Sequence, residues 1–97
     1  MNATLCQAIE GKRVISFDYD GGPRTAEPHC LGVSREGHEL LRVFQTGGFS
    51  ESGNPVGWKL LRVDQINNLR ITADVFPGPR PQYNPADKAM ARVLCCL

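Results

Sequence analysis

The sequence predicts a mainly β domain with flanking helices, built as a small five-stranded barrel with one helix before it and one after it. Two observations carry this. Apolar and polar residues alternate at period two in several short runs bounded by turn signals, the pattern of half-buried strands. Helical signatures, by contrast, occur only near the two ends of the chain. The 97 residues make one domain, and 41% apolar with 22% charged residues is ordinary for a globular chain.

Residues 3–12 read as the leading helix. Leu5, Ala8 and Ile9 form its apolar stripe, Gln7 and Glu10 lie opposite, Asn2 or Thr4 can cap it, and Gly11 ends it. Residues 13–19 switch to period two, with Ile15, Phe17 and Tyr19 on one face and Ser16 and Asp18 on the other. The turn Asp20-Gly21-Gly22-Pro23 leads into an extended segment from Arg24 to Ser34, which Pro28 marks as an edge or bulged strand. Glu36-Gly37 turns the chain into a third strand, 38–45, rich in Leu40, Leu41, Val43 and Phe44, with Phe17 and Phe44 expected in the core.

A long, polar, Gly-rich connection follows over 46–57, the kind of loop that carries function. Residues 58–64 read as the fourth strand, 65–68 as a short turn and 69–72 as the fifth strand, closing the barrel unit at 1–75. The remaining residues, 76–97, belong to the same domain. Phe76-Pro77-Gly78-Pro79-Arg80-Pro81 is a stiff arm. Asn84-Pro85-Ala86-Asp87 reads as a helix start, with Ala89, Met90, Val93 and Leu94 as its stripe. This C-terminal helix is expected to fold back over the open end of the barrel; the alternative is that the arm carries it to a partner.

The net charge of +1 excludes a polycation, but the charge is uneven. Residues 1–53 hold five Lys or Arg against seven acids, net −2, and residues 54–97 hold six against three, net +3. A local basic face follows, and local potential governs binding more than total charge does. No apolar run approaches a membrane span. Met1-Asn2-Ala3-Thr4 does not begin a secretory signal, so a cytoplasmic location with reduced thiols is expected for Cys6, Cys30, Cys95 and Cys96, the last two as small apolar residues; the alternative for that pair is an oxidation-sensitive or intermolecular thiol pair.

A family resemblance rests on the order of short motifs over about residues 4–72. These are the helix with Ala8-Ile9, the strand ending Phe17-Asp18-Tyr19, the segment Arg24…Glu27-Pro28…Leu31, the strand His38-Glu39-Leu40-Leu41, and Lys59-Leu60-Leu61-Arg62-Val63-Asp64-Gln65-Ile66. The chain resembles the WYL domain, a bacterial ligand-sensing module with an Sm-like barrel. The name-giving Trp-Tyr-Leu is replaced by His38-Glu39-Leu40, and Lys59, Leu61 and Gln65 replace the family's Arg, Phe and Arg. The resemblance implies a sensor or regulatory module of transcription regulation. It also raises Lys59 and Arg62 as ligand contacts, while no DNA-reading domain fits beside the barrel in this chain.

The residues themselves point to the same chemistry. Arg24, Arg42, Lys59 and Arg62 come from predicted neighbouring strands and suit a phosphate or carboxylate. Alternation separates Lys59 from Arg62 unless the strand is bulged. Tyr19, Phe49 and Trp58 are the rings placed to stack on a base. The expected partner is therefore an anionic ligand, a nucleotide or single-stranded nucleic acid; the alternative is a protein partner or homo-oligomer, and no membrane. His29 and His38, beside Cys30 and Glu39, lack the spacing of a zinc site. Ser16, Ser50 and Cys30 stand in no nucleophile context, so no enzyme, metal or cofactor is expected.

Overall fold

The computed structural model describes residues 1–97. Helix α1 spans Asn2–Glu10 and is followed by strands β1 (Arg13–Tyr19), β2 (Gly22–Val33), β3 (Glu39–Gly48), β4 (Gly57–Arg62) and β5 (Asn67–Val75). A single 3-10 turn, Val63–Gln65, links β4 to β5, and a last strand, β6 (Arg92–Cys96), ends the chain. All strand pairs are antiparallel, in the order β4-β3-β2-β1-β5, and β6 pairs with β2 off that path.

The mainly β reading and the leading helix hold, but three expectations are corrected. The sheet has six strands, it is open rather than a closed five-stranded barrel, and there is no C-terminal helix. Local turns and long-range pairing together replace the helix. Asn84 Oδ1 accepts the Ala86 N–H at 2.9 Å and Asp87 Oδ1 accepts the Ala89 N–H at 3.0 Å, so both cap residues close single turns. Such side-chain turns compete with helix propagation. Arg92-Val93-Leu94-Cys95-Cys96 then finds an unpaired stretch of β2, with Cys30 opposite Cys96 and Val33 opposite Arg92.

Pro28 sits on an interior strand, not an edge, and the register of β2 against β3 shifts between Pro28 and Cys30. The bulge absorbs the missing N–H. One core gathers Leu5, Ala8 and Ile9 of α1 with Ile15, Phe17, Ala26, Leu31, Leu41, Val43 and Leu61 of the sheet. Phe44 is not part of it. It lies on the opposite face of β3, perpendicular to Trp58 at 5.5 Å between ring centroids. Neither Asn2 nor Thr4 caps α1; Asn2 Nδ2 donates instead to Glu39.

The thiols are not all reduced. Cys6 of α1 and Cys95 of β6 form a disulfide, while Cys30 and Cys96 are free. No helix is long and apolar enough to cross a membrane.

Candidate functional site

The inward face of the sheet does not end with its apolar residues. Along β1 and β2, Ile15 faces Ala26 and Phe17 faces Arg24, so Arg24 continues the core row. Along β3 the inward run Leu41, Val43 is continued by Gln45, opposite Ala26. Along β4 it is Leu61 and Lys59, paired with Leu41 and Val43 without a register shift. Period two therefore delivers two cations and an amide to one end of the core.

Arg24 is only 5% exposed. Its guanidinium carbon lies 5.0 Å from the Tyr19 ring centroid and 5.8 Å from that of Phe49, held between two rings. One nitrogen donates to Gln45 Oε1 at 3.3 Å, another stands 3.7 Å from Asp20, and its Nε has no hydrogen-bond partner. Gln45, fully buried, also donates to the Phe49 carbonyl at 2.9 Å and so fixes the entry of the 49–56 loop. Lys59 Nζ reaches only neutral oxygens: Asn54 O at 2.6 Å, Ser50 Oγ at 3.3 Å and Ser52 Oγ at 3.5 Å. Tyr19, Arg24, Ser50, Ser52 and Lys59 line one open cavity of about 190 Å³, with Asp20 and Glu51 also in its wall.

The other candidates lie elsewhere. Lys59 and Arg62 do fall on opposite faces, as alternation requires. The Arg62 side chain pairs with Asp64 at 2.7 Å and touches His38, while its backbone N–H donates to the Tyr19 hydroxyl at 3.0 Å. Arg42 is on the outer face, gripped by both oxygens of Asp87 at 2.7 and 3.2 Å. That guanidinium holds the Asp87 carboxyl below its usual range. Trp58 is on the outer face too, packed against Phe44 and His29. The seven candidates thus divide: Tyr19, Arg24, Phe49 and Lys59 come together, and Arg42, Trp58 and the Arg62 side chain do not join them.

Residues 76–90 cover this outer face. Arg80 forms a two-pronged pair with Glu27 at 2.7 and 2.9 Å, its charge 4.4 Å from the Phe44 ring. His29, fully buried, accepts the Arg80 N–H at Nε2 (3.1 Å), and its Nδ1 lies 2.8 Å from the Glu27 carbonyl oxygen. A carbonyl only accepts, so Nδ1 carries the proton and the ring is neutral. Burial lowers its pKa below 6.5, outweighing the Glu27 carbonyl and carboxylate.

Sequence reasoning missed Gln45, Ser50, Ser52 and Asn54. Gln45 had a signal, a polar residue at an inward position of an apolar period-two run. No family model, curated protein or solved structure matches the chain.

Proposed function

We propose that the chain is a non-enzymatic binding module for an anionic ligand that carries a flat ring, such as a nucleotide or the end of a single-stranded nucleic acid. One observation supports this best. Of the four candidate cations, Arg42 and Arg62 have carboxylates at 2.7 Å, whereas Arg24 and Lys59 have none closer than 3.7 Å and share one cavity. The Arg24 guanidinium stands in the cavity wall without a close carboxylate, and planar acceptors satisfy such a donor best. Asp20 and Glu51 in the wall mean that bare negative charge is not enough. Phe49, partly exposed beside the Arg24 guanidinium, supplies a stacking surface that favours a ring.

The reading as a divergent WYL-like regulatory module rests on the motif order in the sequence. The cytoplasmic location expected with it requires the Cys6–Cys95 bond to be transient there. A second reading, a protein-interaction domain, has the free edges of β4 and β5 in its favour, since they end an open sheet.

Titration with mononucleotides and short oligonucleotides at two salt concentrations tests the first reading. Binding that weakens with salt supports it. Absence of binding together with a tight oligomer in sedimentation favours the second.

A further inference from the structure

All four cysteines meet at β6. Successive residues of a strand point to opposite faces, so Cys95 and Cys96 address two different neighbours. Cys95 is bonded to Cys6 of α1. Cys96 lies directly across from Cys30 of β2.

The backbone defines the type of this second pairing. The Leu97 N–H donates to the His29 carbonyl at 2.9 Å, one residue beyond Cys96 and one before Cys30. An antiparallel pair flanked in this way is a non-hydrogen-bonded pair, the narrow kind, with Cα atoms about 4.5 Å apart. Disulfides span Cα separations of roughly 4.4–6.8 Å. Cross-strand partners at a non-hydrogen-bonded site carry their Cβ atoms close together on one face of the sheet. Cys30 Sγ touches Met90 Sδ at 3.6 Å, and the Tyr83 hydroxyl donates to the His29 carbonyl, one residue before Cys30, at 3.4 Å. Cys96 is exposed and Cys30 is buried.

We propose that Cys30 and Cys96 form a second, switchable disulfide that ties β6 directly to β2, with a low-molecular-weight disulfide such as oxidised glutathione as the oxidant. The exposed Cys96 thiol loses its proton to water, and its thiolate attacks one sulfur of glutathione disulfide. A mixed disulfide forms and one glutathione leaves. Cys30 then gives up its proton and attacks the Cys96 sulfur, expelling the second glutathione. Two protein thiols are oxidised, one external disulfide is reduced to two thiols, and the Cys6–Cys95 bond is untouched. The second step is the slow one, because burial raises the pKa of the Cys30 thiol. Closure therefore speeds up as pH rises. With the second bond closed, residues 76–97 stay fastened to the sheet even when Cys6–Cys95 is reduced.

The test is intact-mass analysis and thiol counting on the folded full chain, with Cys6–Cys95 closed, after incubation with oxidised glutathione. The expected product has lost two hydrogens, retains no glutathione and has no thiol left to alkylate in denaturant. Cys30→Ala should instead keep one glutathione on Cys96, and Cys96→Ser should show no loss of two hydrogens. Because Cys95 and Cys96 cannot be separated by proteolysis, the pairing is assigned on the Cys6→Ser/Cys95→Ser protein, where the same loss under native conditions identifies Cys30–Cys96. A wild-type protein that holds one glutathione while Cys30 remains alkylatable overturns the proposal. So does a covalent dimer through Cys96.

Discussion

At the scale of single residues, buried polar groups carry the most information. His29 is neutral and pinned between the Glu27 carbonyl and the Arg80 N–H, with its pKa held below 6.5. The unfolded chain binds this proton more readily than the folded one. The stability it contributes is therefore complete above pH 6.5 and is lost as the pH falls through the lowered folded value. Protonation would set an Nε2 hydrogen against the Arg80 N–H, so the 76–90 segment should loosen first. Protection of the Arg80 amide from hydrogen exchange, relative to its intrinsic rate at each pH, should fall before that of β1 as pH drops from neutral. Gly48 offers a second test. It has φ +95° and stands against the Pro23 carbonyl and Arg24 Cα, where a Cβ has no room. Gly48→Ala should cost about 1–3 kcal/mol in denaturant unfolding and move the Phe49 loop.

At the scale of elements, the leading helix and the strands of 1–75 were legible because their inward residues recur at a fixed period, most plainly in α1 and β1, where burial is one-sided. Ile15, Phe17 and Tyr19, or Leu41 and Val43, write the period directly into the sequence. The last element was not legible. Asn84-Pro85-Ala86-Asp87 satisfies every local rule for a helix start, yet Asp87 is claimed by Arg42, far away in sequence, and the following residues are claimed by β2. Long-range pairing overrode local propensity. Phe44 failed for a related reason: both faces of β3 are covered, the inner by the core and the outer by Trp58 and Arg80, so apolar character there does not report direction. The Cys6–Cys95 bond joins residues 89 apart. By loop-closure entropy its removal should cost about 4.6 kcal/mol, which for a domain of this size lowers Tm by roughly 18–37 °C. Calorimetry of Cys6→Ser/Cys95→Ser against wild type checks this.

At the scale of the whole molecule, the uneven charge noted in the sequence does not form one basic face. Of the six cations of the second half, Arg62 and Arg80 sit in ion pairs on the outer surface, Lys59 lies at the end of the core on the opposite face, and Arg70, Lys88 and Arg92 form no ion pair. Only half of the candidate site was legible. Period two places Lys59 and Tyr19 on inward rows, but neutralisation of Arg42 by Asp87 depends on where residues 84–88 fold. The strand register thus selects Arg24 and Lys59, and the most direct test of that selection is the dissociation constant of a short oligonucleotide or nucleotide, measured at low salt for wild type, Lys59→Ala and Arg42→Ala. The account predicts a loss of about tenfold or more for Lys59→Ala, the worth of one charge-assisted hydrogen bond, and no change for Arg42→Ala. Binding unchanged in Lys59→Ala, or lost in Arg42→Ala instead, would contradict it.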